Sequence, residues 1–161
     1  MRLALAALIG TLLFQAALMA ADPLEGTWNL NVQKSKGMDQ TTSDSRLAMA
    51  LKIESVGSNR YRQTIEWGNP TRHISETIET TNWDGKDYEN DEGDKPDGYT
   101  MSIQRIDNGH ILAIFKKNGK EYSRSEMSVS PDGQVATMHQ WGTGRRTAKP
   151  FDLVLVYEKQ Q

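Results

Sequence analysis

The sequence predicts an all-β protein, an antiparallel up-and-down (meander) β-barrel of about eight to ten strands. Apolar and polar residues alternate with a period of two in one segment after another, which is typical of strands with one buried face. Turn-forming dipeptides recur roughly every ten residues. No helical periodicity extends beyond a turn or two after Leu24. The 161 residues have room for one such domain.

Residues 1–21 have the pattern of a secretory signal peptide. Arg2 is followed by an apolar run, and the segment closes with small residues at Ala20 and Ala21. We expect cleavage near Ala20 or Ala21, which leaves residues 22–161 as the barrel domain. The mature protein is then expected to be periplasmic or extracellular.

The alternative for the same segment is a membrane anchor, because its apolar stretch approaches the ~20 residues that span a bilayer. Gln15 interrupts that stretch, and no basic cluster follows it. We therefore expect no stable membrane insertion after cleavage.

Charge and cysteine content exclude several classes of function. Lys and Arg number 19 against 21 Asp and Glu, and the loss of Arg2 with the leader gives 18 against 21, a net charge of −3. Nucleic acid is not an expected partner, because its phosphates require a basic face. The chain has no cysteine, so we expect neither disulfides nor thiolate chemistry. The oligomeric state is not determined by these features.

Alternation places Leu24, Trp28 and Val32 on one face of a first strand. Later strands are predicted at 46–54, 60–67, 73–81, 99–103, around 112–114, and at 122–129, 135–141 and 151–157. Four dipeptides are predicted as turns: Asp84-Gly85, which fits a type I′ hairpin, and Asn108-Gly109, Asn118-Gly119 and Asp132-Gly133.

The last strand, Phe151–Tyr157, is almost continuously apolar, which predicts a position in the middle of a sheet. In a meander, the last strand gains a second neighbour when it pairs with the first. We therefore expect closure into a barrel, which removes exposed sheet edges. A sandwich of two sheets is the alternative.

Gly26-Thr27-Trp28, in the first predicted strand, resembles the Gly-x-Trp signature of the lipocalins and the wider calycin group. The segments PLEGTWNLNVQKSKG and LVLVYEK resemble small secreted bacterial lipocalin-like proteins. The resemblance implies that Trp28 plugs one end of the barrel beneath a basic side chain. Candidates for that cation are Arg145, Arg146 and Lys149.

The residues themselves favour the same structural role. A large inward ring near the chain start can seal a barrel end, and Gly26 lets a neighbouring backbone approach it. One departure from fatty-acid-binding relatives is clear. Leu155 stands two places before Tyr157, where those relatives carry the arginine of an Arg-x-Tyr motif.

Polar groups on faces that otherwise look inward indicate a ligand site. Gln63 alternates in phase with Tyr61 and Trp67, and Arg124 with Tyr122. Several aromatic residues fall near strand ends, where one barrel mouth could gather them. The predicted ligand-binding residues are Tyr61, Gln63, Trp67, Tyr99, Tyr122, Arg124, His139 and Trp141. In the alternative interpretation, these faces point to water.

Enzyme signatures are missing, and we predict no catalytic residue, metal or cofactor. His73, His110 and His139 are too far apart in sequence to form a short-spaced metal site. The acidic stretch from Asp87 to Asp97 does not fit a calcium loop, because its glycine falls one place late and position twelve is Gly98.

The sequence therefore predicts a secreted or periplasmic barrel that binds a small hydrophobic or amphipathic molecule without catalysis. One alternative is a filled barrel that acts through its surface as an interaction or inhibitor module. A third is a haem-binding barrel enzyme with an inward His139 on the iron.

Overall fold

The computed structural model describes residues 22–38, 47–69, 72–78, 82–89, 98–145 and 147–161. Within these ranges the chain forms strands and turns and no α-helix. The strands are β1 (Gly26–Leu30), β2 (Leu47–Gly57), β3 (Arg60–Asn69), β4 (Arg72–Ile78), β5 (Tyr88–Glu89), β6 (Tyr99–Asp107), β7 (His110–Lys117), β8 (Lys120–Val129), β9 (Val135–Thr143) and β10 (Pro150–Lys159).

All ten strands belong to one antiparallel sheet, in the order β4-β3-β2-β1-β10-β9-β8-β7-β6-β5. Strands that follow each other in sequence pair with each other, as the meander prediction requires, except for β4 and β5, which lie at opposite margins of the sheet. The predicted pairing of the last strand with the first is confirmed, with Trp28 opposite Lys159 and Leu30 opposite Tyr157.

The alternating pattern determines which side chains face inward. On β10, Leu153, Leu155 and Tyr157 are buried on the inner face, whereas Val154 and Val156 between them are half-buried on the outer face. The predicted position of this strand in the middle of the sheet is confirmed, since it lies between β1 and β9, and its inner face is the better buried.

The turn between β7 and β8 has the residues that a tight hairpin requires. Asn118 and Gly119 both have positive φ, 49° and 76°, and they join the paired residues Lys117 and Lys120. This is the two-residue turn that an Asn-Gly dipeptide favours, because both central residues must adopt φ > 0.

The prediction of a hairpin turn at Asp84-Gly85 is wrong. Asn82 pairs with Arg60 of β3, whereas Asp84 pairs with Gln104 of β6. This stretch therefore passes from one strand to another instead of folding back on itself. The positive φ of Gly85, 78°, serves that passage.

The two margins of the sheet are β4 and β5, so the predicted closed barrel is completed only in part. Among the described residues no ladder joins these strands to each other. At one end, Trp83 contacts both sides of this break. Its N–H donates to the Asn59 carbonyl at 2.9 Å, and its carbonyl accepts hydrogen bonds from the Asn59 side chain and from the Arg105 N–H of β6. Gly85 N–H donates to the Ile103 carbonyl of β6.

The two ends of the curled sheet differ in packing. At the closed end, where β1 begins and β10 ends, the largest inward side chains are fully buried, among them Trp28, Trp83 and Tyr157. At the open end, where β3 ends and β6 begins, inward aromatic residues such as Trp67 and Phe115 are only partly buried. The hydrophobic core therefore lies towards the closed end.

Across the described ranges, no helix has the length and apolar character needed to cross a membrane.

Candidate ligand-binding site

The inner face near the open end carries apolar side chains that the protein does not fully cover. They belong to strands on both sides of the sheet and pack against the core with part of their surface free. These residues are Trp67, Ala113, Phe115 and Phe151. Incomplete cover of inward apolar groups is typical of a binding cavity.

Neutral polar groups lie on the same inner face. Gln63 is half-buried between Tyr61 and Ile65, as predicted from its phase. Across the sheet, Ser125 pairs with Gln140, and Ser125 is buried. Such groups give an apolar cavity a few fixed hydrogen-bonding positions.

Trp67 adds a polar group near the open end. Its indole N–H is buried and has no hydrogen-bond partner within the described part of the chain. Because an unpaired buried donor costs roughly 1–3 kcal/mol, it favours an acceptor that reaches it. The alternation of the sequence predicted that Trp67 faces inward. Its pairing with the buried Ala48 agrees with this prediction.

A β-bulge places Tyr122 among the inward residues. Phe115 pairs with Ser123, but the next residue of β7, Lys116, pairs with Glu121, so Tyr122 is the extra residue. Its ring meets the edge of Tyr99 at 5.7 Å and lies 6.4 Å from Phe115. The three rings line the wall from the rim towards the interior.

Two cations contact the Tyr99 ring at the rim. Lys117 Nζ lies 3.8 Å from the ring centre, and the Arg145 guanidinium carbon lies 3.7 Å from it. Lys117 pairs directly with Tyr99 across β6 and β7, whereas Arg145 comes from the connection between β9 and β10. The rim at this point is therefore both aromatic and positively charged.

Three predicted ligand residues do not share this face. On β8 and β9 the inward residues are Ser125, Met127 and Ala136, so the alternate positions Arg124, His139 and Trp141 lie on the outer face. The sequence pattern put Arg124 in phase with Tyr122, and the bulge at Tyr122 breaks that phase. The inward placement of Arg124, His139 and Trp141 is thus wrong.

The outer residues form a row of contacts across three strands. The Arg124 guanidinium makes two hydrogen bonds to Glu121, at 2.6 and 2.8 Å, and lies 5.7 Å from the Trp141 ring. His139 stacks on Trp141 at 4.3 Å and its Nε2 is 2.8 Å from Asp152. Since His139 points away from the interior, it is not placed to bind a haem iron inside the barrel.

Trp28 occupies the predicted plug position at the closed end. It is fully buried, and its indole N–H donates to the Leu24 carbonyl at 2.9 Å. A cation contacts the ring as expected, but it is Lys159, whose Nζ lies 4.7 Å from the ring centre. The predicted candidates Arg145 and Lys149 were the wrong cations, because the pairing of β1 with β10 puts Lys159 opposite Trp28. The third candidate, Arg146, lies outside the described residues.

Gly26 makes room for that cation. Its φ is +129°, and a Cβ added there would lie 2.6 Å from Lys159 Cε. The close neighbour is therefore a side chain, where the sequence analysis expected a backbone. Lys159 Nζ also donates to the Pro23 carbonyl at 3.1 Å, which ties the segment before β1 to the end of β10.

A network that the sequence analysis missed completes the closed end. Arg105 donates two hydrogen bonds to the Asp22 carboxylate, at 2.6 and 2.8 Å, and another to the Tyr61 hydroxyl. Tyr61 in turn donates to Asp22 Oδ2 at 2.7 Å and stacks on Trp83 with ring centres 3.9 Å apart. Tyr61, predicted as a ligand contact, is thus part of the closed end.

The pKa values of this network follow from its contacts. Burial alone would raise the pKa of the Asp22 carboxyl, but hydrogen bonds from Arg105, Tyr61 and the Leu24 N–H outweigh it and hold the pKa below 3.8. Burial, together with the hydrogen bond to the Asp22 carboxylate, raises the pKa of the Tyr61 hydroxyl to about 12. Asp22 is therefore ionised and Tyr61 neutral at pH 7.

A surface cleft of about 340 Å³ lies outside this network at the closed end. Pro23, Asp107, His110 and Ser130 contribute to its lining. None of the predicted site residues lines it, so it is separate from the inner face at the open end. Within the described ranges, no group of three or more His, Cys, Asp or Glu side chains could hold a metal ion. Most of the acidic stretch noted in the sequence, residues 90–97, lies outside the described residues.

Comparisons with known proteins agree with the architecture. No family model matches the chain, and no curated protein matches it. Among solved structures it is similar to As-p18, an extracellular fatty acid binding protein, with a TM-score of 0.52 and 13% identity over 86% of this chain and 97% of that chain.

It is also similar to a zebrafish ileal bile acid-binding protein in complex with cholic acid, with a TM-score of 0.52 and 13% identity over 86% of this chain and 99% of that chain. At this identity the likeness concerns the fold alone.

Proposed function

We propose that the protein binds a small, partly apolar molecule on the inner face of the sheet near the open end. The observation that carries the proposal is the contrast between the two ends. Inward side chains such as Trp28 and Tyr157 are fully buried at the closed end, whereas Trp67, Phe115 and Phe151 remain partly uncovered at the other. The proteins of similar fold, one a fatty acid binding protein and one in complex with cholic acid, support this class of ligand.

The chemistry of the inner face suits a ligand that is not purely hydrocarbon. Gln63 and Gln140 offer amide donors and acceptors, and the Trp67 indole offers an N–H. We propose that these groups orient the ligand, while the apolar wall supplies most of the binding free energy, about 25 cal/mol per Å² of buried apolar surface.

The location of the protein belongs to the same proposal. The signal-like residues 1–21 support export to the periplasm or the cell exterior, where the barrel would capture its ligand without catalysis. N-terminal sequencing of protein made in its own host tests this, and a mature chain that begins at Met1 would contradict it.

A steric substitution tests the ligand site. Ala113 faces inward and is half-buried, so Ala113→Trp should fill the space near Phe115 and lower the affinity for a bound ligand by at least about tenfold. Ala50→Trp is the matched control, because Ala50 pairs with Glu66 on the outer face. The measurement is calorimetric titration with a medium-chain fatty acid and its alcohol.

Each possible result of this titration leads to a different conclusion. Loss of binding in Ala113→Trp alone supports an internal site. Equal loss in both variants, or none in either, would place the ligand elsewhere. Failure of the wild-type protein to bind any such molecule would contradict the proposed function itself.

A further inference from the structure

We infer that the ligand of this barrel is an uncharged molecule whose hydroxyl or carbonyl group binds Ser125 and Gln140 on the inner wall, while its apolar part packs against the surrounding side chains. Together with Ser123, these two residues form the serine–glutamine patch. The inference rests on the proposed function and specifies the ligand class and the position of its polar group.

The patch consists of three neighbouring inward positions on β8 and β9. Ser125 pairs directly with Gln140, and Ser123 lies two residues along β8 on the same face. Directly paired residues of an antiparallel sheet have Cβ atoms about 4.5–5.5 Å apart, and residues two apart on one strand are roughly 7 Å apart. One polar group of a ligand can therefore contact two of these side chains at once.

The hydrogen-bonding groups of the patch are not used by the protein itself. Ser123 and Ser125 are buried, and Gln140 is half-buried. Within the described part of the chain, none of these three side chains forms a hydrogen bond. A serine hydroxyl and a glutamine amide can each donate and accept. Because an unpaired polar group in an apolar wall costs free energy, the patch favours a ligand group that pairs with it.

The sheet neighbours of the patch are apolar. On β7, Ala113 and Phe115 lie opposite the two serines, and on β10 Leu153 lies opposite Gln140. Among these neighbours, a carboxylate or an ammonium bound at the patch would have no compensating charge. Taking a charge out of water without such a partner is costly, whereas a neutral hydroxyl or carbonyl needs only the hydrogen bonds that the patch supplies.

The inward cations that the structure describes lie at the two ends of the sheet and not beside the patch. Arg105 and Lys159 belong to the closed end, where Arg105 binds Asp22. Lys117 lies at the rim, four residues from Ala113 along β7, which is roughly 13 Å at the rise of a strand. A polar group bound at the patch is therefore recognised by hydrogen bonds and not by ion pairing.

The test uses the protein as its host produces it and three straight-chain probes of equal length: octanol, octanoate and octene. At about pH 8 octanoate is ionised. Calorimetric titration measures the affinity for octanol and octanoate, and equilibrium partition from the headspace measures the affinity for octene. The wild type should bind octanol at least about tenfold more tightly than octanoate.

The patch variant is Ser125→Ala/Gln140→Met, which removes the hydrogen-bonding groups and keeps side chains of similar size. Its affinity for octanol should fall by about tenfold, because the hydroxyl of octanol loses its partners. Its affinity for octene should stay within about twofold of the wild type, which would also show that the interior is intact. If the double variant does not fold, Ser125→Ala and Gln140→Met alone should each weaken octanol binding by about threefold and leave octene unchanged.

The matched control is Ser128→Ala/Thr137→Val. Ser128 and Thr137 pair across the same two strands, but they alternate with the inward residues and lie on the outer face. The control therefore removes two hydroxyl groups from β8 and β9 without touching the inner wall. Its affinities for all three probes should stay within about twofold of the wild type.

Three results would overturn the inference: octanoate that binds the wild type as tightly as octanol, octanol and octene that lose affinity alike in the patch variant, or an equal loss of octanol affinity in the control. If none of the three probes binds the wild type, the proposed function fails together with the inference. Binding of all three probes without dependence on the patch defeats the inference alone.

Discussion

Asp22 shows how much a single residue contributes to the closed end. Its carboxylate accepts hydrogen bonds from Arg105, from Tyr61 and from the Leu24 N–H, and so connects the segment before β1 to β3 and β6. Asp22 lies six residues before Trp28 and belongs to no recognisable sequence motif. Its role depends on the long-range contact with Arg105, which single-sequence patterns do not reveal.

We expect Asp22→Asn to lower the free energy of unfolding by about 1–3 kcal/mol at pH 7, because Arg105 and Tyr61 lose the charge that they bind. The pKa of Asp22 is lower in the folded protein than in the unfolded chain. The ionised carboxylate therefore stabilises the fold fully above about pH 4, and this stabilisation is lost as the pH falls through the pKa of the folded state. Denaturant unfolding of both proteins from pH 7 down to pH 2 should therefore show their difference narrowing in acid.

The control for that measurement is Asp87→Asn. Asp87 pairs with Lys116 at the surface, so little change is expected at any pH. A difference between wild type and Asp22→Asn that stays constant in acid would show that the carboxylate acts through shape and not through charge.

Trp28 illustrates which part of a residue's role the sequence can predict. Its inward phase near the chain start indicated a plug, and the structure buries it fully. The identity of its cation depended on which strand lies beside it. Since the last strand was expected to pair with the first, Lys159, two places after Tyr157 in the same phase, could have been named on that basis.

At the scale of elements, alternation predicted most strands, because a half-buried strand requires a period of two. The errors have local physical causes. Asp84-Gly85 has the composition of a tight turn, yet its flanks are bound by two different partner strands. The bulge at Tyr122 shifts the phase of β8 and so moves Arg124 from the predicted inner face to the outer one. On β9 the error has another cause: the register with β8 puts Ala136, Met138 and Gln140 on the inner face, so the alternate positions His139 and Trp141 lie on the outer face.

The Trp83 ring packs the closed end, and its loss should be severe. We expect Trp83→Ala to lower the free energy of unfolding by about 3–5 kcal/mol, because it removes a buried ring stacked on Tyr61. Trp141→Ala is the matched control, since Trp141 lies half-exposed on the outer face, and its loss should cost clearly less. Urea unfolding followed by circular dichroism compares the two variants, and equal losses would contradict the packing role of the Trp83 ring.

At the scale of the whole molecule, the sequence predicted the fold class, the meander order and the pairing of β1 with β10, all of which are confirmed. It did not predict that the break would fall between β4 and β5. It identified Gln63, Trp67 and Tyr99 on the inner wall but missed Phe115, Gln140 and Lys117. Their inward positions follow from registers across several strands, which the sequence of one strand does not contain.

The described contacts of the closed end begin at Asp22, which leads to a prediction on truncation. A chain that begins at Gly26 should be less stable than a chain that begins at Asp22 by about 3 kcal/mol or more, because it lacks the buried Leu24 and the carboxylate of Asp22. Chemical unfolding of the two truncated chains checks this, and equal stability would refute it.

The passage of the chain through Trp83 has a mechanical consequence. In a barrel in which every strand is hydrogen-bonded to two neighbours, the circumference can change only if backbone hydrogen bonds break. Here Asn82 and Asp84 bridge β3 and β6 at one point, and the described parts of the margins β4 and β5 share no ladder. The described wall can therefore widen between β4 and β5 without breaking a ladder of hydrogen bonds, so its circumference is not fixed by the backbone.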